Sequence, residues 1–107
     1  MSYAAKLQEM GYTLQTIELN AGRLMHAKRS GNLIYTSGQV SRWGDQQIKG
    51  KVGRDVSVED GYEAAKLCTL NCLQAVHSLA GSLDNVVQVV KVFGMVNVAP
   101  DFDNTPA

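Results

Sequence analysis

The sequence predicts an α+β domain, and three observations carry that reading. Two short strand candidates, residues 23–29 and 33–37, the second β-branched and aromatic, flank Ser30-Gly31-Asn32, a hairpin signal. A helical stripe of small apolar residues runs from Ser57 to Gly81. A valine-rich run, 86–98, then reads as the longest strand, apolar on both faces. At 107 residues, 45% of them apolar, the chain is the length of one domain, taken as 1–107. A core of that size gains from an oligomer interface.

In order along the chain, residues 2–10 predict a short helix. Ser2 is its cap and Gly11 its stop, with Tyr3, Leu7 and Met10 on one docked face. Residues 12–19 alternate loosely. Tyr12, Leu14 and Thr16 fall on one side and Thr13, Gln15, Ile17 and Leu19 on the other, the pattern of an edge strand. Asn20-Ala21-Gly22 is a turn signal. Residues 41–53 are polar and punctuated by Gly44, Gly50 and Gly53, hence a loop that Trp43 pins to the body.

Ser57 caps the long helix, and Glu59 and Asp60 suit the positive end of its dipole. Gly61, Ala64, Ala65, Cys68, Cys72, Ala75, Val76 and Leu79 step by threes and fours along its apolar stripe. Gly81 is the left-handed cap. In 86–98, Val86, Val90, Val92, Val96 and Val98 are assigned to one face, and Val87, Val89, Phe93 and Met95 to the other. A helix covers one of these faces, and a second layer, such as another subunit, covers the other. Residues 100–107 read as a loop.

The totals exclude several classes of function. Ten basic and ten acidic residues give no net charge, and the short basic group Arg23, His26, Lys28, Arg29 reads as a solvated strand face. Nucleic acid is therefore not an expected partner. No run of about 18 apolar residues is present, so no membrane span is expected. With no apolar leader at the N-terminus, the expected location is cytoplasmic. Cys68 and Cys72 lie four apart on one helix face and read as core hydrophobes. Neither His26 nor His77 has metal-site spacing to them, so no metal is expected.

The stretch 31–40, Gly-Asn-Leu-Ile-Tyr-Thr-Ser-Gly-Gln-Val, is the candidate site. A β-run breaks there into Ser37-Gly38-Gln39. Gly38 lets a ligand approach the main chain, and Ser37 and Gln39 supply donors and acceptors. The plain alternative is a strand ending in an ordinary turn.

This stretch resembles the strand motif of the Rid (YjgF, L-PSP endoribonuclease-like) family. Gly53-Arg54-Asp55-Val56-Ser57 follows in that family's order. So do the helix bearing Ala64, Ala65, Cys68, Asn71 and Leu73, then Ser82-Leu83-Asp84 and Val89-Val90-Lys91-Val92. The N-terminal helix and Gly94-Met95-Val96-Asn97 with Asp101-Phe102 are similar to its longer, chorismate-mutase-like subgroup. The resemblance implies a mixed sheet with helices packed on one face and a homotrimer with clefts between subunits. It also implies cofactor-free hydrolysis of imines or enamines derived from amino acids, releasing ammonia and a 2-keto acid. Ser37 and Gly38, with Gln39 beside them, match the substrate-binding cleft; no catalytic residue is assigned.

The departures are equally specific. A carboxylate-binding arginine beyond a second helix, that helix and the closing strands have no counterpart among the 107 residues. Leu24 stands where an aromatic lines the cleft. The expected domain is therefore a Rid domain incomplete at its C-terminus, with Arg23, Arg42 and Arg54 not reaching Ser37. A small-molecule-binding or regulatory trimer without turnover is the alternative. Ribonuclease chemistry is disfavoured by the neutral charge and the lack of a paired histidine, and mutase activity by the fact that shape alone does not give function.

Overall fold

The computed structural model describes residues 2–20 and 25–103. The elements follow in the order α1 (Tyr3–Glu9), β1 (Ala27–Ser30), β2 (Leu33–Thr36), β3 (Arg42–Trp43), β4 (Gln46–Gln47) and α2 (Val58–Ala80), then a 3-10 turn at Leu83–Asn85. This is a small α+β domain with two helices and two two-stranded antiparallel sheets, β1-β2 and β3-β4. The predicted turn at 20–22 and the start of the predicted strand at 23–29 fall on residues 21–24, outside the described residues.

The hairpin forms because its turn chemistry is right. Ser30 pairs with Leu33 and Ala27 with Thr36. Gly31 takes φ +59 and no non-glycine residue among those described takes a positive φ, so the two-residue turn has the II′ pattern that suits strand twist. The loop predicted over 41–53 holds a second, minimal hairpin, with Gly44 at φ +60. Two-residue strands leave no alternation to detect.

α2 has the predicted caps. Ser57 Oγ accepts from the Asp60 amide at 3.1 Å, and Gly81 closes the helix at φ +86. Its burial differs from the predicted stripe. Leu67 and Leu70 are 3% exposed and form the core with Ala75, Val52, Val56, Leu83, Ala27 and Ala99. Cys68 and Cys72 are half-buried, and Ala65 is exposed. The small residues serve close approach instead: a Cβ on Gly61 would sit 3.1 Å from Val52 Cγ2. The large side chains beside them fill the core.

Three expectations need correcting. The face Tyr3, Leu7, Met10 does not dock: Tyr3 and Met10 are more than half exposed. α1 is held through its backbone, Tyr3 N donating to Asp84 Oδ1 at 2.8 Å, where the carboxylate also meets the helix dipole. Residues 12–19 form no strand. The Gln15 and Ile17 amides donate to Gln74 Oε1 (3.1 Å) and Ser78 Oγ (2.8 Å) of α2, so polar helix side chains take the place of a strand partner.

Third, 86–98 is an extended arm without a ladder. Only Val98 makes a bridge, to Val52, with Val52 N to Asn97 O and Ala99 N to Val52 O both at 2.9 Å. α2 spends its apolar side on the hairpins, Val52 and Leu83, and covers neither face of the arm. Both faces of 87–96 are exposed.

Candidate functional site

The tip of β2 is built by its own ladder and by one face of α2. Beyond the pair Ala27–Thr36, the Ser37 amide donates to His26 O at 3.0 Å, which extends the hairpin by one rung. From the helix side, Cys72 Sγ receives a contact from Thr36 Oγ1 at 3.8 Å. Asn71 Nδ2 donates to Val40 O at 3.1 Å and to Arg42 O at 2.5 Å. Residues 36–42 are thereby fixed at both ends against a rigid helix.

Within that frame the three predicted site residues come together. Gln39 Nε2 lies 3.4 Å from Ser37 Oγ and 3.5 Å from Ser37 O, and Ser37 Oγ lies 3.5 Å from His26 O. Both side chains are half-buried. These separations sit at the outer limit for hydrogen bonds, so a ligand offering better geometry displaces them at small cost. A Cβ at Gly38 would meet nothing within 4 Å. The main chain there faces open space.

No ion pair or side-chain hydrogen bond joins a cationic group to Ser37 or Gln39 among the described residues. Arg54 is engaged with Asp55 at 2.7 Å, and Arg29 Nε donates to Gly31 O at 2.8 Å. Arg42 is exposed, and Arg23 lies outside the described residues. The guanidinium of Arg54 holds the Asp55 carboxyl below its usual range, aided by the Lys51 amide. Burial, then the neighbouring Cys72, pushes the Cys68 thiol up. Cys68, half-buried and not in the core expected for it, is thus a poor nucleophile at neutral pH. Among the described residues no group of three or more His, Cys, Asp or Glu side chains has the arrangement to hold a metal ion. No described helix is long and apolar enough to cross a membrane.

Two recesses lie away from this tip. One of about 140 Å³ sits between α1 and α2, where His77 meets Leu7, Gln8, Tyr12 and Leu14. The buried Nδ1 of His77 has no hydrogen-bond partner there. The other, about 270 Å³, is a shallow patch of Tyr62, Ala65, Lys66 and Thr69. Neither is lined by Ser37, Gly38 or Gln39. The sequence reading missed Asn71 as the clamp on the tip. Its signal was an amide within the helix, four residues after Leu67 and one after Leu70.

Comparison with models of known protein families finds no match. The chain is similar to protein TCP17 of Trypanosoma cruzi, 32% identical over 101 residues, covering 92% of this chain and 62% of that protein. It is also similar, at 34% identity and a TM-score of 0.80, to the crystal structure of Atu1372, a protein of unknown function from Agrobacterium tumefaciens. That match covers 96% of this chain and 62% of the other. The chain spans about three fifths of the length of either relative.

Proposed function

We propose that the chain is a Rid-type domain of the chorismate-mutase-like subgroup and that the β2 tip binds imines or enamines derived from amino acids for hydrolysis. One observation carries the reading: Ser37, Gly38 and Gln39 converge at an open strand end, held there by Asn71. In the reaction, water oxygen adds to the carbon of C=N, the C–N bond breaks, and nitrogen leaves as ammonia with two protons from water, giving a carbonyl product. There is no net oxidation and no cofactor. The tip contributes orientation: the Ser37 hydroxyl and Gln39 amide hold substrate or water beside exposed main chain at Gly38.

A second reading, ligand binding without turnover, is favoured by the absence of a paired cation at the tip among the described residues. A substrate carboxylate left unpaired in a cleft is costly. The test is ammonia release from freshly generated 2-aminoacrylate. The first reading expects release above the buffer rate, falling at least about tenfold in Ser37→Ala or Gln39→Ala, the size of losing one good polar contact to the reacting group. Release at the buffer rate, with thermal stabilisation by the 2-keto acid product that Gly38→Val abolishes, supports the second. Neither release nor stabilisation removes the tip as a site.

A further inference from the structure

The recess between α1 and α2 holds a polar group that no bond of the fold accounts for. His77 stands in the last turn of α2, and its Nδ1 is buried with no hydrogen-bond partner among the described residues. A buried polar atom left alone is costly, so such an atom at a cavity wall points to what the cavity takes. Leu7, Tyr12 and Leu14 supply most of the apolar wall and Gln8 and Thr13 the polar part, and no Asp, Glu, Lys or Arg lines the recess. The walls are tied together within the chain. Tyr12 N donates to Leu7 O at 2.9 Å, Tyr3 N to Asp84 Oδ1 at 2.8 Å, and Gln15 N to Gln74 Oε1, one turn before His77, at 3.1 Å.

We infer that this recess binds a small, uncharged ring compound with one O–H, phenol in its simplest form, which donates a hydrogen bond to His77 Nδ1. Size sets the first part. The recess is about 140 Å³, and an apolar cavity of roughly 150 Å³ is known to take up benzene. Charge sets the second: an ion would lose its water there and meet no opposite charge. His77 sets the third. In a neutral imidazole one nitrogen carries the proton and the other a lone pair, and in the commoner tautomer of a free side chain the proton is on Nε2. Nδ1 then accepts. The hydroxyls of Tyr12 and Thr13 and the amide of Gln8 line the same recess, yet none bonds to it. The donor therefore comes with the ligand. The recess shares no lining residue with Ser37-Gly38-Gln39, so this inference goes beyond the proposed chemistry and does not depend on it.

Titration of the isotope-labelled chain with phenol, anisole and toluene, followed by NMR at about pH 8, where a free imidazole is neutral, tests it. Phenol should saturate shifts of the Leu7, Gln8 and Leu14 amides and of the His77 imidazole. Half-saturation should fall at about 1 mM, the range open to a ligand of about seven non-hydrogen atoms. Anisole and toluene donate no hydrogen bond and should enter the same place about five- to tenfold more weakly. His77→Leu should bring phenol down to the level of toluene and leave toluene unchanged. Where that variant does not fold, the Nδ1 resonance of the unaltered chain decides, since accepting a hydrogen bond moves it with phenol and not with toluene. No saturable shift at these residues, at phenol concentrations about tenfold above half-saturation, overturns the inference. So does equal binding of phenol and toluene. Shifts confined to 87–96 place phenol on exposed apolar surface, and shifts confined to 37–39 place it at the β2 tip; either outcome overturns it as well.

Discussion

Asn71 shows how one side chain decides the shape of the candidate site. Its amide bonds two carbonyls of the segment that follows Ser37-Gly38-Gln39, those of Val40 and Arg42, tying the segment to α2. Asn71→Ala should cost about 1–2 kcal/mol by urea denaturation, the worth of one to two net hydrogen bonds at a half-buried position. Limited proteolysis should at the same time move into residues 40–48. A loss of stability without new cleavage there would mean that the amide supports the helix rather than the loop. The end of β2 at Thr36, before Ser37-Gly38-Gln39, was legible in the sequence because the break from β-formers to small polar residues is local. Asn71 was not, because a clamp is defined by what it reaches across 31 residues of chain.

Asp55 gives the same scale a pH signature. Its carboxyl is held low by Arg54 and by the Lys51 amide, so the folded state binds its proton less readily than the unfolded chain. The stabilisation is fully present above the ordinary carboxylate pKa near 4 and is lost as pH falls from there through the lowered folded value. Asp55→Asn should therefore flatten the acid limb of a stability–pH curve below about pH 4 and leave its slope unchanged at neutral pH. The effect should be small and should shrink in salt, since both partners are largely exposed. A steeper acid limb in the variant would contradict the assignment.

At the scale of elements, legibility follows the range of the signal. Helix caps are local chemistry, and Ser2, Ser57 and Gly81 all hold the positions expected of them. The hairpin is equally local. By contrast, whether 12–19 or 86–98 forms a strand depends on a partner elsewhere, and alternation alone carries no information about one. The first segment found Gln74 and Ser78; the second found only Val52 at its far end. The stripe on α2 was misread for a related reason. Small residues mark where backbones approach, while Leu67 and Leu70 mark where area is buried. Ser57→Ala should cost about 1 kcal/mol through the lost cap, and Leu67→Ala about 2–5 kcal/mol through the cavity, both read from urea midpoints. Similar losses in the two variants would mean that the core collapses around residue 67 with little penalty.

For the whole molecule, stability is graded from α2 outward to the arm. The radius of gyration is 15.0 Å, where a chain of 107 residues packed as one body is expected near 13 Å. The arm's far end is anchored through Val52, which is 8% exposed and bonded on both its amide and its carbonyl, and through Asn97 Nδ2, which donates to Gly50 O at 3.4 Å. Hydrogen exchange in dilute solution should therefore fall into three classes. Amides of α2 around Leu67, Leu70 and Ala75 should exchange only with global unfolding. The Val52 and Ala99 amides should exchange sooner, because the two hydrogen bonds of one bridge open without the helix. Amides of 87–96 should exchange at open-chain rates. Protection of 87–96 in the dilute sample would mean that the arm folds onto its own body.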